Sequence, residues 1–408
     1  MPTLEEARRT ILAHTSTLGT ESVELIDSLN FVTAEDIVAP WDMPQCDNSA
    51  MDGYAVRTAD CAAAARLHIA GTITAGASSN IQVQPGCAVK IMTGARIPPG
   101  ADAIVPFEAA DAQGEYVAIH PPVERHQHLR QAGSDLRQGE VVIPTGTVIR
   151  AQEISMMASS NMSRVPVFRR PRVAVLSTGD ELLSVGEPAV AGKIFDSNGV
   201  SLAAMAKEYG AIVHMLGIAR DTEASHVEKM IAGLQADMFI TSAGVSVGER
   251  DLVRKVLADL GVTQVFHSVD VRPGGPTTFG TKGNCLVFCL PGNPVASMIM
   301  FAELVKPAIL KAMGYRRVLQ PTVRALLQED VSKGPGRVKL LRVRLESRGD
   351  SLLAFSSGDQ TTGMLKTLLR ADGLAVLPAD RASFPAGDEV EVHVLSMNTF
   401  MRDWETEK

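Results

Sequence analysis

Aromatic residues are scarce: 2 Trp, 4 Tyr and 12 Phe make up 4% of the 408 positions. The cores must therefore rest on Val, Ile, Leu, Ala and Met. Positive charge is not in surplus either. Against 46 Asp and Glu stand 39 Lys and Arg, a formal net charge of −7. That balance argues against broad nucleic-acid binding, although a small anion in a local positive pocket remains compatible with it. Cysteine is sparse, odd in number and scattered, at Cys46, Cys61, Cys87, Cys285 and Cys289. With no leader-like start, this gives the expectation of reduced thiols and a cytoplasmic chain. Long apolar runs are missing. The best candidate, "VASMIMFAELVKPAIL", is broken by Glu303 and Lys306, so no membrane span is expected. Neither GxxxxGK[ST] nor GxGxxG occurs, which excludes an ordinary P-loop NTPase and a nicotinamide dehydrogenase. There are no repeats or low-complexity segments.

What is present fits a folded globular chain: 45% hydrophobic and 21% charged residues. The length implies two to four domains. "MPTLEEARRTILAH" opens an amphipathic helix, with Thr3 and Glu6 at capping-box spacing. From residue 41 to about 150, short runs such as "CAVKIM", "ADAIVPF" and "EVVIP" alternate with Gly and Pro turns, a β-rich texture. A helix is expected at 151–160. Residues 171–313 then alternate strand and helix, from "RVAVLST" through "AIVHMLGIA", "DMFITS", "TQVFHSV" and "CLVFCL" to a long closing helix at "PVASMIMFAELVKPAILKAMG". Such alternation means βαβ units and a doubly wound, mostly parallel sheet. Residues 320–396 return to strands and turns, a small β-barrel or sandwich. The fold class is thus α/β multidomain.

Chemistry-bearing residues collect after the strands of the α/β region. "STGDEL" (177–182) follows the first strand, "ARDT" with Asp221 the second, "SAGVSVGERD" (242–251) the third and "PGNP" (291–294) the last. In open α/β sheets the ligand crevice lies beyond the carboxyl ends of the strands. Each piece alone also reads as a turn or helix cap. Four of them on one edge point to a site. Gly179, Gly244, Gly248, Gly274 and Gly292 offer backbone N–H groups to oxyanions. Asp180, Glu181, Asp221, Glu249 and Asp251 form a carboxylate set, which facing a phosphate calls for an intervening cation. Oxygen-only ligation beside phosphate suggests Mg²⁺. Ser177, Ser246, Pro291, Asn293 and Pro294 belong to the same motifs. The loop "RPGGPTTFG" (272–280) carries Arg272 as its only cation. His126 and His128 have no Cys or carboxylate completing a metal set and read as a solvated loop. Cys285 and Cys289 share a strand face as core thiols.

The ordered set "NSAMDGYAV", "IMTGARIPPGADAIVP", "AGSD", "LSTGDEL", "FDSNG", "GVSVGERD" and "LPGNPVAS" resembles the MoeA family, the molybdopterin molybdenumtransferases, which includes the catalytic C-terminal part of gephyrin. The resemblance spans nearly the whole chain. It implies a MogA/MoaB-like α/β domain at 171–315, an N-terminal linker and dimer region at 1–40 and 136–170, a β-rich inserted domain at 41–135, and a C-terminal β domain at 320–400. It further implies insertion of molybdate into adenylylated molybdopterin, release of AMP, a requirement for Mg²⁺, and a homodimer with a shared active site. By motif matching, Asp52, Thr93 and Asp135 would come from the partner subunit, and Glu181, Asp221, Asp251, Pro291 and Pro294 from the α/β domain. Arg342 and Thr362 would match an Arg and a Ser of the family. The catalytic set is then Glu181, Asp221, Asp251, Asp52 and Asp135, with Mg²⁺ on Asp221, Asp251 or Glu181. A MogA-type adenylyltransferase and molybdoenzyme maturation factors are expected partners.

Two positions depart from the family pattern. Gly275 stands where many members carry a second Lys, in a "KPGKP" loop, and Ala243 where a Gly is usual. A diverged paralogue acting as a scaffold, or an Mg²⁺-dependent nucleotide pyrophosphate hydrolase, are the alternative readings.

Overall fold

A computed structural model describes residues 1–61, 65–77, 80–120, 122–242 and 252–395. The chain divides into two compact units. One comprises Met1–Ala34, Gly146–Arg150 and Arg164–Lys408; the other comprises Glu35–Thr145 and Ala151–Ser163.

In the larger unit, α1 (Leu4–His14) begins with the anticipated capping box. The Thr3 hydroxyl accepts from the Glu6 amide, and the Glu6 carboxylate accepts from the Thr3 amide. Its apolar stripe of Leu4, Ala7 and Ile11 is buried. The α/β region follows, with β5 alone outside its sheet: β1 (Arg172–Thr178), α2 (Ser197–Glu208), β2 (Ile212–Ala219), α3 (Glu223–Gly233), β3 (Met238–Ser242), α4 (Leu252–Asp259), β4 (Thr263–Phe266), β5 (Val271–Arg272), β6 (Thr278–Lys282) and β7 (Cys285–Leu290). Sheet order is β2-β1-β3-β7-β6-β4. The first four strands are parallel, and β6 and β4 join antiparallel. The chain leaves β1 towards β2 on one side, then crosses to β3 on the other. That reversal opens a crevice at the carboxyl ends of β1 and β3.

Strand β6 was not legible in the sequence. "TFGTK" has little apolar content and sits inside what reads as a Gly/Pro loop. Its pairing with β7 and β4 supplies the hydrogen bonds that make it a strand. The long closing helix is also interrupted. α5 (Pro294–Met300) and α6 (Lys306–Ala312) flank a π turn at Phe301–Val305. Glu303, within this turn, is fully buried and ion-paired with Arg8 of α1. It also accepts from His393 Nδ1 at 3.0 Å. Among the described residues, no helix is long and apolar enough to cross a membrane.

The C-terminal strands are β8 (Thr322–Leu327), β9 (Val338–Arg348), β10 (Ser351–Ser356), β11 (Gly373–Leu377) and β12 (Glu389–Val394). They pair in the ring β9-β10-β8-β12-β11-β9, so the small β domain is a closed five-stranded barrel. Closure leaves no open edge within the ring. β5 adds outside it, parallel to β9, with Val271 opposite Val338 and Arg272 opposite Lys339. Buried Leu327, Leu341, Val343, Leu377 and Phe384 fill its centre.

The smaller unit holds a six-stranded sheet in the order 103–106, 53–56, 87–91, 66–73, 116–119, 110–113. Helix Ala151–Ser159 belongs to this unit. Gly53 permits close pairing with the edge strand 103–106, because a Cβ there would lie 2.1 Å from the Val105 carbonyl oxygen.

Candidate functional site

Three local devices build the crevice at the ends of β1 and β3. The first is the "DSNG" start of α2. Asp196 caps the helix by accepting from the Gly199 amide at 2.8 Å. Such a cap contributes about 1 kcal/mol. Ser177, at the end of β1, donates to the same Asp196 oxygen at 2.7 Å. A Cβ on Gly199 would sit 2.5 Å from the Asp196 carboxylate and 2.8 Å from the Ser177 hydroxyl, so this close approach of helix and strand requires glycine. Asn198 then stitches two strand ends together. Its Nδ2 donates to Ser242 Oγ at 2.6 Å and to the Gly292 carbonyl at 2.8 Å.

The second device is the acidic turn after β1. Gly179 has φ +140°. A Cβ there would lie 2.4 Å from a Glu181 carboxylate oxygen, so the glycine makes room for the acid. The Asp180 amide faces Asp221 Oδ2 at 3.4 Å, and the Asp221 amide donates to Asp180 Oδ1 at 3.2 Å. Two cations back this turn. Arg220 Nη1 donates to the Leu182 carbonyl at 2.9 Å, and Lys193 Nζ donates to the Asp180 carbonyl at 2.5 Å. The exposed carboxylates of Asp180, Glu181 and Asp221 thus share one sheet edge. This all-oxygen set suits a hard divalent cation. Among the described residues no three acidic, His or Cys side chains converge tightly enough to enclose a metal. Asp251, with Ser246, Gly248 and Glu249, lies outside the described residues, as do Ala243 and Gly244.

The third device is the turn Pro291–Pro294. Asn293 caps α5 by accepting from the Val295 amide at 3.2 Å, and Pro294 occupies the first helical turn. Pro fits there because its missing N–H has no intrahelical partner to lose.

A second locus sits between β5 and the barrel. It is a cleft of about 720 Å³ lined by Arg272, Pro273, residues 332–337, Lys339, Leu340, Arg342 and residues 359–362. Five cations face it, from Arg272, Lys333, Arg337, Lys339 and Arg342, against one carboxylate, Asp359. Asp359 is itself engaged, accepting from the Thr361 amide at 2.8 Å and hydroxyl at 2.6 Å. These bonds hold its pKa below the usual carboxylate value. Burial, followed by the charges of Arg272, Arg342 and Lys333, holds the Lys339 ammonium below its ordinary pKa. Packing like charges this closely is unfavourable without an anion.

Arg342 is 1% exposed, an unusual state for a guanidinium. Its Nη2 donates to the carbonyls of Asp359 at 3.0 Å and Thr361 at 3.3 Å, which shapes the loop carrying Thr362. Gln360 closes the loop against β9, accepting from the Arg342 amide at 3.0 Å and donating to its carbonyl at 3.2 Å. Arg342 Nε is buried without a hydrogen-bond partner. Burial holds the Arg342 pKa below its usual value. A buried, under-satisfied cation on the wall of a positive cleft is suited to meet an anion.

Sequence reasoning named Arg272, Arg342 and Thr362 and missed Lys333, Arg337 and Lys339. The missing signal was the parallel register of β5 on β9, which sets Arg272 beside Lys339 across a separation of 67 residues. Gly274 is buried, with φ +101°; a Cβ there would meet Met300 Cγ at 2.2 Å. It lies outside the lining of the cleft.

In the smaller unit, Asp52 precedes strand 53–56 and Thr93 follows strand 87–91. Gly53 pairs with Ile91, so the two residues meet at one end of the sheet. The Thr93 amide and hydroxyl both donate to Asp52 Oδ1, at 2.6 and 2.8 Å. These bonds hold Asp52 below the usual carboxylate pKa. Asp135 is exposed, and its amide donates to the Met43 carbonyl at 2.9 Å.

Residues 2–160 match the MoeA N-terminal region (domain I and II), residues 174–311 the family described as "Probable molybdopterin binding domain", and residues 324–395 the MoeA C-terminal region (domain IV). The chain is 34% identical over 398 residues to a molybdopterin molybdenumtransferase of Haemophilus influenzae, spanning 96% of this chain and 98% of that one. It is 32% identical over 403 residues to molybdopterin molybdenumtransferase 2 of Mycobacterium tuberculosis, spanning 96% and 99%. The crystal structure of a molybdopterin biosynthesis MoeA protein from Pyrococcus horikosii superposes with a TM-score of 0.84 at 30% identity, covering 97% of this chain and 99% of that one. The chain belongs to the MoeA family of molybdopterin molybdenumtransferases.

Proposed function

We propose that this enzyme inserts molybdate into adenylylated molybdopterin and releases AMP, as a late step of molybdenum cofactor synthesis. The observation that carries the reading is the five-cation cleft with its buried, under-satisfied Arg342. Molybdate is a tetrahedral dianion, and the cleft offers fixed positive charge in a form suited to it. Arg272 and Lys339 would hold the oxyanion. Arg342 would keep the loop carrying Thr362 in place and add charge from behind.

The crevice at β1 and β3 would take the pyrophosphate part of the substrate. Ser177, Gly179, Asp180, Ser246, Gly248, Glu249, Gly292 and Asn293 are its proposed contacts, with Pro291 and Pro294 shaping the last turn. Mg²⁺ would be held by Asp221 with Glu181 and Asp251. When bound, Mg²⁺ supplies charge neutralisation for the bridging phosphates. The chain's own groups position and orient. No protein nucleophile is required, so the rate would come from charge placement and proximity. Asp52, Thr93 and Asp135 are proposed to be supplied by a second copy of the chain, making the enzyme a homodimer with shared sites.

The test is purified protein with adenylylated molybdopterin, Mg²⁺ and molybdate. AMP release that depends on molybdate supports the transferase. AMP release indifferent to molybdate would make the enzyme a pyrophosphate hydrolase, and absence of turnover would point to a binding role.

A further inference from the structure

The loop 272–280 carries one cation, yet its neighbour across β5 and β9 is rich in them. The register explains which of these reaches the loop. Val271 pairs with Val338, so the preceding residues, Asp270 and Arg337, lie side by side, with Arg337 on the lining of the cleft. Arg337 Nε lies 3.4 Å from Asp270 Oδ1. The rest of its guanidinium extends over Gly275: a Cβ built at Gly275 would be 3.8 Å from Arg337 Nη1.

Gly275 is not enforced by its backbone, and a Cβ there would be in ordinary contact with Arg337. Its φ lies outside the left-handed region, and the other atoms a Cβ would approach are the Val271 and Val269 carbonyl oxygens, at 3.3 and 3.5 Å. Gly274 next to it is enforced by both φ and a 2.2 Å clash. A long side chain at 275 would instead compete with Arg337 for one volume.

We propose that Arg337 is a further fixed cation of the oxyanion subsite, beside Arg272 and Lys339, delivered from the barrel into space that Gly275 leaves open and aimed by Asp270. This rests on the cleft being the molybdate site. Both residues of the ion pair are partly exposed, at 55% for the Arg337 side chain and 29% for Asp270, so the pair orients the guanidinium more than it cancels its charge.

The experiment is equilibrium dialysis of molybdate against the full-length protein. Arg337→Gln is expected to weaken binding about tenfold, the cost of one charge-assisted contact. Arg337→Lys should stay within about threefold of the parent, because charge at this place is what matters. Gly275→Lys alone should not tighten binding, since Arg337 fills the space, whereas Gly275→Lys combined with Arg337→Gln should recover most of the loss. Arg272→Ala separates the two readings. If Arg272→Ala weakens binding and Arg337→Gln does not, the inference about Arg337 is overturned and the cleft stands. If neither weakens binding, the cleft reading itself fails. Tighter binding by Gly275→Lys alone overturns the inference as well. If the Gly275→Lys variants do not fold, the comparison of Arg337→Gln with Arg337→Lys decides alone: equal losses would make the role structural and sink the proposal.

Discussion

Replacing Arg342 with Met separates a structural role from an electrostatic one. The substitution keeps an unbranched side chain in a buried place and removes the charge. Two hydrogen bonds from Nη2 are lost, at 3.0 and 3.3 Å. Bonds from a charged donor contribute about 1.5–3 kcal/mol each. Against this, burying a guanidinium costs several kcal/mol, and its orphaned Nε adds about 1–3 kcal/mol. The terms nearly cancel, so stability should change by less than about 2 kcal/mol. Anion affinity has no such offset. A cation about 5 Å from an anion is worth about 3 kcal/mol at an effective dielectric of 20, and less after screening. A loss of about 1.5–3 kcal/mol corresponds to roughly 10- to 150-fold weaker binding. Urea unfolding and molybdate dialysis at two ionic strengths measure both quantities. A stability loss above about 4 kcal/mol with unchanged affinity would leave Arg342 as a clamp for its loop with no electrostatic part in anion binding.

Three further outcomes follow from the geometry. Asn198→Ala should cost about 1–3 kcal/mol, because Ser242 Oγ and the Gly292 carbonyl lose a donor, while the unpartnered Asn198 Oδ1 is also removed. Hydrogen exchange should accelerate at residues 292–297 more than in the barrel, and equal protection everywhere would contradict the assignment. Asp237 is pushed up by burial but more strongly pulled down by Arg169 and the Arg172 amide, leaving its pKa below the ordinary carboxylate value. A depressed carboxylate stabilises above the unfolded value of about 4 and loses that contribution as pH falls through the folded value. Asp237→Asn should therefore flatten the acid limb of the urea midpoint, and an unchanged limb would exclude this pair as its source. Lys306 is pushed down by burial to about 8 from 10.5. The folded state then binds fewer protons between those values, so stability should rise as pH climbs from about 8 towards 10.5. Lys306→Met should remove that rise, although Gln320 Oε1 loses its 2.6 Å donor; persistence of the rise would assign it elsewhere.

The parts of the fold written locally were legible in the sequence. Buried strands such as "RVAVLST" and "CLVFCL" announce themselves by apolar runs, and the Thr3/Glu6 box by its spacing. Features set by tertiary partners were not. Glu303 and Lys306 look like interruptions of an apolar helix until Arg8, His393 and Gln320 are seen to meet them. Strand β6 exists because β7 and β4 flank it. The site divides in the same way. Carboxylates at strand ends follow from topology, so Asp180, Glu181 and Asp221 could be named from the sequence. The other cations of the cleft come from β9 and the loop before it, far along the chain, and the β5–β9 register brings them to Arg272. Asp196, Asn198 and Gly199 were visible only as part of a motif, and their separate tasks of cap, stitch and close approach emerge from distances.

The most direct test of the transferase activity is the rate of AMP release from adenylylated molybdopterin, with Mg²⁺ present, as molybdate is raised from zero. The rate should be negligible without molybdate, saturate with it, and need a higher molybdate concentration to saturate in Arg272→Ala. A rate that is the same with and without molybdate would contradict it.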